Sequence, residues 1–189
     1  MKNIRLPVPL AHQSDYCACV AASLSAIYYY WKGLNKNFYF ERDFSKILGR
    51  KIENGTTTIK ILNAIKKLKL RHKYEEAISL DDLKKYVEMG TTVMAFVQTP
   101  SRKPPKDWNK IWNRSHAVVV VGMNSKRIFL MDPLYKESYI WMPIKEFDAR
   151  WHDKCYSTYN DKRNYHSAVI IWGDYPAITT APPKYVRAV

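Results

Sequence analysis

His12-Gln13-Ser14-Asp15-Tyr16-Cys17-Ala18-Cys19 runs directly into Val20-Ala21-Ala22-Ser23-Leu24-Ser25-Ala26-Ile27-Tyr28-Tyr29-Tyr30-Trp31. The second half reads as a helix, because Val20, Leu24, Ile27, Tyr28 and Trp31 recur on one stripe at helical spacing. The alanines and serines between them permit close approach, so this helix is expected to be central and buried. Asp15 is the expected N-cap, which puts Cys17 and Cys19 in the first turn. A thiol there meets unpaired backbone N–H groups and the positive end of the helix dipole, and both favour the reactive thiolate. Gln13 stands six positions before Cys19, so its amide can reach the same place as the thiol. On this stretch alone, both cysteines also fit the role of small buried hydrophobes.

Working outward, 189 residues are enough for one domain with a real core, and 1–189 is read as a single domain. An apolar fraction of 47% with 14% aromatics excludes a disordered chain. No apolar run approaches the roughly 18 residues that a membrane span needs. Met1–Leu10 carries two prolines and no apolar segment, unlike a secretory signal. Three cysteines do not make an extracellular disulfide scaffold, and a cytoplasmic, reducing setting is expected. The net charge of +14 predicts attraction to polyanions, although a solvated basic surface serves solubility equally well. Lys66, Lys67, Lys69, Arg71 and Lys73 form the densest basic run, read mainly as a solvated helix end.

The first helix is expected to stop at Gly33-Leu34-Asn35. Short helices are expected over Glu41–Leu48, from Thr56 or Thr57 to about Leu68, and over Leu80–Glu88. Ser79 and Asp82 form a capping-box-like pair opening the last of these. Strands are expected at His72–Ala77, Thr92–Val97, Ser115–Met123, Arg127–Met131, Tyr139–Met142 and Ser167–Trp172, with a helix over Ile144–Trp151. Residues 99–115, with three prolines, two tryptophans and five basic residues, read as a loop beside a site. The tail 174–189 is expected to be extended and peripheral. Helices followed by an antiparallel sheet make an α+β fold.

Ser115–Met123 and Arg127–Met131 read as a hairpin. His116 opens its first strand and Asp132-Pro133 closes its second, so the two side chains are expected to be neighbours at one sheet edge. That geometry lets a carboxylate set the tautomer of an imidazole and aim its other nitrogen at a nucleophile.

These residues resemble the papain-like bacteriocin-processing (double-glycine leader) cysteine peptidases. That family has a Gln six before a Cys that opens a helix of the form Ala-Cys-Leu-x-Met-Ile-x-x-Tyr-Tyr, then a His, an apolar strand, a turn, a second strand and Asp-Pro. Here those are Gln13, Cys19, Ala22 to Trp31, His116 and Asp132-Pro133. Asn54-Gly55-Thr56-Thr57, the Ser79 helix and Gly90-Thr91-Thr92-Val93-Met94 also look like family elements, and the resemblance spans about residues 8–150. It implies a papain-like α+β fold and hydrolysis of a peptide or amide bond. Cys19 would be the nucleophile, His116 the general base and acid, Asp132 the orienting residue, and Gln13 an oxyanion donor beside the Cys19 N–H. The six-residue spacing favours Cys19 over Cys17. The family's usual Asp-Cys-Gly is Ala18-Cys19-Val20 here, and Val20 is expected to narrow the approach of an extended substrate.

No cofactor is implied. A zinc site built from Cys17, Cys19 and His116 or Cys155 has poor ligand spacing. His12, His72, His152 and His166 fall in no paired pattern. No transporter segment follows, so a fused exporter is not expected. Two further readings share the scaffold: a catalytically silent basic protein binding a polyanion or peptide, and an acyl transferase on the same three residues.

Overall fold

The computed structural model describes residues 5–33, 40–50, 55–99, 105–155, 162–179 and 185–187. Helix α1 (Cys19–Lys32) is buried at every position from Cys19 to Trp31. The apolar stripe seen in the sequence is therefore only part of its contact surface. Small residues on the remaining faces let neighbours close in, and Ser23 Oγ donates to the Ala117 carbonyl at 3.2 Å. Helix α2 (Phe40–Ile47) packs on α1. There Phe44 meets Tyr28 and Tyr29 edge-on, at centroid separations of 5.5 and 6.1 Å.

Helix α3 (Thr58–Lys67) is capped by Thr57, and α4 (Leu80–Glu88) by Ser79, each hydroxyl accepting a backbone N–H three residues on. Strand β1 (Arg71–Glu75) lies between these helices, so the order is not simply helices and then sheet. It ends before Ala77, whose φ of 56° is incompatible with a strand. Strands β2 (Thr92–Gln98), β3 (Ser115–Met123), β4 (Arg127–Met131) and β5 (Tyr139–Pro143) follow, and helix α5 (Ile144–Arg150) comes after β5. Next come β6 (His152–Cys155), β7 (Lys162–Tyr165), β8 (Ala168–Trp172) and β9 (Tyr185–Arg187). A 3-10 turn at Trp108–Lys110 interrupts the loop expected over 99–115, and residues 100–104 of that loop lie outside the described ones.

The main sheet runs β1-β8-β2-β3-β4-β5-β9 and is antiparallel except for the β5–β9 pair. Strands β6 and β7 form a separate two-stranded ribbon. That ribbon is absent from the sequence reading because His152–Cys155 and Lys162–Tyr165 are too polar to show strand periodicity. Strand β3 is buried from His116 to Val121, as its unbroken apolar run demands, and α1 and α4 both pack against β2 and β3.

The tail is less peripheral than its prolines suggest. The N–H groups of Ala177 and Ile178 donate to the Tyr30 carbonyl, and Tyr185–Arg187 adds an edge strand. Gly33 ends α1 at φ 75°, as expected of a helix stop. Leu34 and Asn35 lie outside the described residues.

Leu24 is wholly buried in the centre of α1. Leu24→Ala should destabilise the fold by about 2–5 kcal/mol, read from the midpoint of urea denaturation.

Candidate active site

The mouth of α1 is built differently from the sequence expectation. Asp15 is not the N-cap. The helix starts at Cys19, with Ala18 in the cap position and no side-chain cap. Cys17 therefore lies in the turn before the helix rather than in its first turn. Asp15 organises that turn instead. Its carboxylate accepts the Cys17 N–H at 2.8 Å, and its carbonyl accepts the Ala18 N–H at 3.2 Å.

Arg50 holds Asp15 from outside. Its Nη1 and Nη2 donate to the two Asp15 oxygens at 2.9 and 2.8 Å, and its Nε donates to Ser45 Oγ at 3.1 Å. Ser14 Oγ donates to Glu41 Oε2 at 2.5 Å, and Glu41 lies 3.6 Å from Arg50. A planar fork on a carboxylate fixes orientation as well as distance. The Arg50 guanidinium holds the Asp15 carboxyl below its ordinary range against the opposing effect of burial. Sequence reading missed Arg50, because a basic residue at a helix end looks like solvated surface.

Cys19 is the first residue of α1 and is 8% exposed. The His116 ring and the backbone N–H groups of Ala117 and Val20 all act on its thiol and favour the thiolate. Burial alone would push the thiol up. The His116 hydrogen bond and charge, with those two amides, outweigh it and set the thiol below its ordinary value.

His116, at the start of β3, is 3% exposed. Its Nε2 meets Asp132 Oδ1 at 2.7 Å, which leaves Nδ1 for the thiol. Burial opposes the charged ring, but the Asp132 carboxylate and the Cys19 contact raise it to about 10. Both shifts run in the same direction, favouring a thiolate on Cys19 and a proton on His116.

The β3–β4 register explains why Asp132 reaches His116. Val119 pairs with Met131. One further step sets Asp132 opposite Val118, two residues from His116 and on the same face of the strand. Asp132 follows the last β4 residue, and its Oδ1 also accepts the Leu134 N–H at 2.9 Å, within the turn that Pro133 shapes.

The chain before α1 is tied to the same turn. Gln13 N–H donates to the Pro133 carbonyl at 3.1 Å, and His12 Nδ1 donates to it at 2.8 Å. Gln13 is buried, and one hydrogen of its Nε2 goes to the Asp15 carbonyl at 2.9 Å.

A cavity of about 580 Å³ reaches this group at Cys19, while His116, Asp132 and Gln13 lie behind its wall. Tyr16, Cys17, Cys19 and Val20 line it from the α1 side, Gly55–Thr58 and Lys60 from α3, and Ser115, Ala117, Asp153 and Lys154 from the strands. Val20 is among the residues that line this cavity beside Cys19. The other histidines are accounted for by local contacts. His152 Nε2 donates to the Ile111 carbonyl at 2.7 Å, and the His166 ring stacks on Trp151. Among the described residues no group of His, Cys, Asp and Glu is arranged to hold a metal ion, and the Cys155 side chain lies outside them.

A thiol at the mouth of a central helix, set against a His and an Asp on adjacent strands of an antiparallel sheet, is the arrangement of the papain-like α+β fold. The chain belongs to the Peptidase_C39 like family, whose model matches residues 5–159. Solved structures share the fold at low identity. The peptidase domain of Streptococcus ComA, a bifunctional ABC transporter of a quorum-sensing pathway, is 20% identical with a TM-score of 0.62, covering 87% of this chain and 97% of that one. A structure described as a C39-like peptidase from Bacillus anthracis is 16% identical with a TM-score of 0.65, covering 92% and 99%. The double glycine motif protease of an AMS/PCAT transporter, solved with the leader peptide, is 19% identical with a TM-score of 0.59, covering 88% and 92%. No match was found among curated protein sequences.

Removing the Arg50 fork should loosen the turn that presents Cys19. Arg50→Ala is expected to cost about 1–3 kcal/mol in thermal or urea denaturation and to slow alkylation of Cys19. Asp132→Asn keeps the shape but removes the charge that holds His116 protonated. Titration of the ring followed by NMR should move from about 10 to a lower pH. The sign follows from linkage. A raised His pKa contributes stability at low pH that is lost as pH climbs from the ordinary value of 6.5 through about 10, and the variant should lose that dependence.

Proposed function

We propose that this protein is a cysteine peptidase acting through Cys19, His116 and Asp132. The observation that carries the reading is the buried run of contacts from the Cys19 thiol through the His116 ring to the Asp132 carboxylate, opening on a cavity. Membership of the Peptidase_C39 like family supports the same chemistry.

In this reading the Cys19 thiolate adds to the carbonyl carbon of a scissile peptide bond. The charge that develops on the carbonyl oxygen is met by the Cys19 N–H and the second hydrogen of Gln13 Nε2. The His116 imidazolium gives its proton to the leaving nitrogen as the C–N bond breaks, leaving a thioester. Neutral His116 then takes a proton from water, the resulting hydroxide adds to the thioester, and departure of the thiolate restores the starting pair. Asp132 keeps Nε2 occupied throughout, so Nδ1 stays aimed at the reacting atoms.

A peptide is the substrate class that the cavity and the family support. The AMS/PCAT relative was solved with its leader peptide, which fits a peptide laid along the same face here. The chemistry requires a reduced Cys19, in keeping with a cytoplasmic setting. Among the described residues no helix is long and apolar enough to cross a membrane.

The test is alkylation by iodoacetamide, mapped by mass spectrometry, together with cleavage of a random peptide pool. Cys19 should react ahead of Cys17, and its rate should rise with pH through a midpoint below the ordinary thiol value of 9. Cleavage should hold a plateau above that midpoint and fall as His116 loses its proton near pH 10. Cys19→Ala and His116→Ala should each reduce cleavage by about a thousandfold or more. Preferential modification of Cys17, or cleavage that survives Cys19→Ala, would overturn the assignment.

A further inference from the structure

Two polar atoms in the cavity wall have no role in the mechanism above. Asp153 Oδ1 and Thr56 Oγ1 are both buried, and neither has a hydrogen-bond partner in the protein. Both residues line the cavity that Cys19 lines. A buried polar atom without a partner is costly, and native proteins carry few of them. Two in the wall of one cavity, beside the reactive thiol, are accounted for by a ligand that supplies the missing partners.

The chemistry of that ligand can be read from the atoms. A carboxylate only accepts hydrogen bonds, and a threonine hydroxyl can accept as well. Ser115 and the Lys154 N–H lie beside the Asp153 carboxylate and favour its charged form. Burial pushes its pKa up to about 6, which still leaves it charged at neutral pH. Phe96, Val20 and Ala117 supply apolar wall for a long aliphatic stem. The two lysines in the lining are otherwise engaged: Lys60 Nζ donates to the Gly49 carbonyl at 3.0 Å, and Lys154 makes a contact of its own. A guanidinium or ammonium group carries several N–H donors with a positive charge and satisfies both orphan atoms together. A carboxylate would meet Asp153 as a like charge, and an apolar side chain would leave both atoms unpaired.

We propose that Asp153 and Thr56 form a side-chain subsite beside Cys19 that takes an arginine or lysine flanking the scissile bond of the substrate. This rests on the peptidase reading, but it can fail or survive separately. Asp153 follows His152 in a polar strand of the small ribbon, where sequence alone shows no sign of a binding role.

The experiment has a binding arm and a turnover arm. Acetyl-arginine amide and its neutral near-isostere acetyl-citrulline amide are titrated into the protein, following the backbone amide signals of Gly55–Thr58 and Ser115–Ala117 by NMR. The arginine amide should move these signals saturably and bind about tenfold or more tightly than the citrulline amide. Asp153→Asn, which keeps the side-chain shape, should abolish that difference, and Thr56→Val should weaken binding several-fold. In the turnover arm, cleavage of a random peptide pool should enrich arginine and lysine at one position near the cut by about tenfold over leucine. Asp153→Asn should lose this enrichment, and Asp153→Glu, which keeps the charge, should retain part of it.

Equal binding of the two amides, or an unaltered cleavage profile in Asp153→Asn, overturns the subsite. Cleavage with no basic preference sinks the subsite and leaves the peptidase standing. Arginine amide binding through Asp153 with no cleavage does the reverse.

Discussion

The contact between His116 Nε2 and Asp132 Oδ1, 2.7 Å long and closed to solvent, is the constraint on which the rest of the site depends. A buried carboxylate and a buried imidazolium are each costly alone and tolerable as a pair with their remaining sites satisfied. The Leu134 N–H takes one of those sites, and the Cys19 thiol takes another. Three ionisable groups from distant parts of the chain thereby share one desolvated volume. Because each group contacts the next, no single one can be altered without disturbing the other two.

The scaffold enforces that geometry from several sides. Strands β3 and β4 are held in register by central strands buried on both faces, so the His116 and Asp132 ends cannot slide apart without exposing the core. Helix α1, buried all round, carries Cys19 to the edge of the same strand. The preceding segment is anchored twice, to the Pro133 carbonyl by His12 and Gln13 and to Arg50 through Asp15. The turn before Cys19 is thus referenced both to the turn that bears the carboxylate and to the helical layer that bears the guanidinium.

Charge plays different parts at different scales. The net +14 belongs to the surface, and members of the basic run are partly engaged there: Arg71 with Asp174 at 2.6 Å, and Lys73 with Glu75 at 2.6 Å. Such exposed pairs contribute little individually. Within the cavity one carboxylate, Asp153, turns an oxygen without a protein partner into the wall. A bound group in contact with that carboxylate responds to it more than to the screened lysines of the outer surface.

Much of the fold was legible without coordinates. Burial of Ala117–Val121 followed from an apolar run with no polar interruption, and the caps at Thr57 and Ser79 followed from hydroxyls placed before apolar periodicity. The His116–Asp132 neighbourhood followed from hairpin geometry. What local pattern could not supply were features created by residues far apart in the chain. Asp15 looked like a helix cap because its type and position suit one, yet the helix starts at Cys19 because Arg50, thirty-five residues later, draws the Asp15 carboxylate into a different turn. The β6–β7 ribbon, the parallel β9 edge and the orphan oxygens of Asp153 and Thr56 are of the same kind. Periodicity and capping chemistry act over a few residues and are written in order along the chain. Which buried polar group finds a partner is decided only when separate segments close on one another.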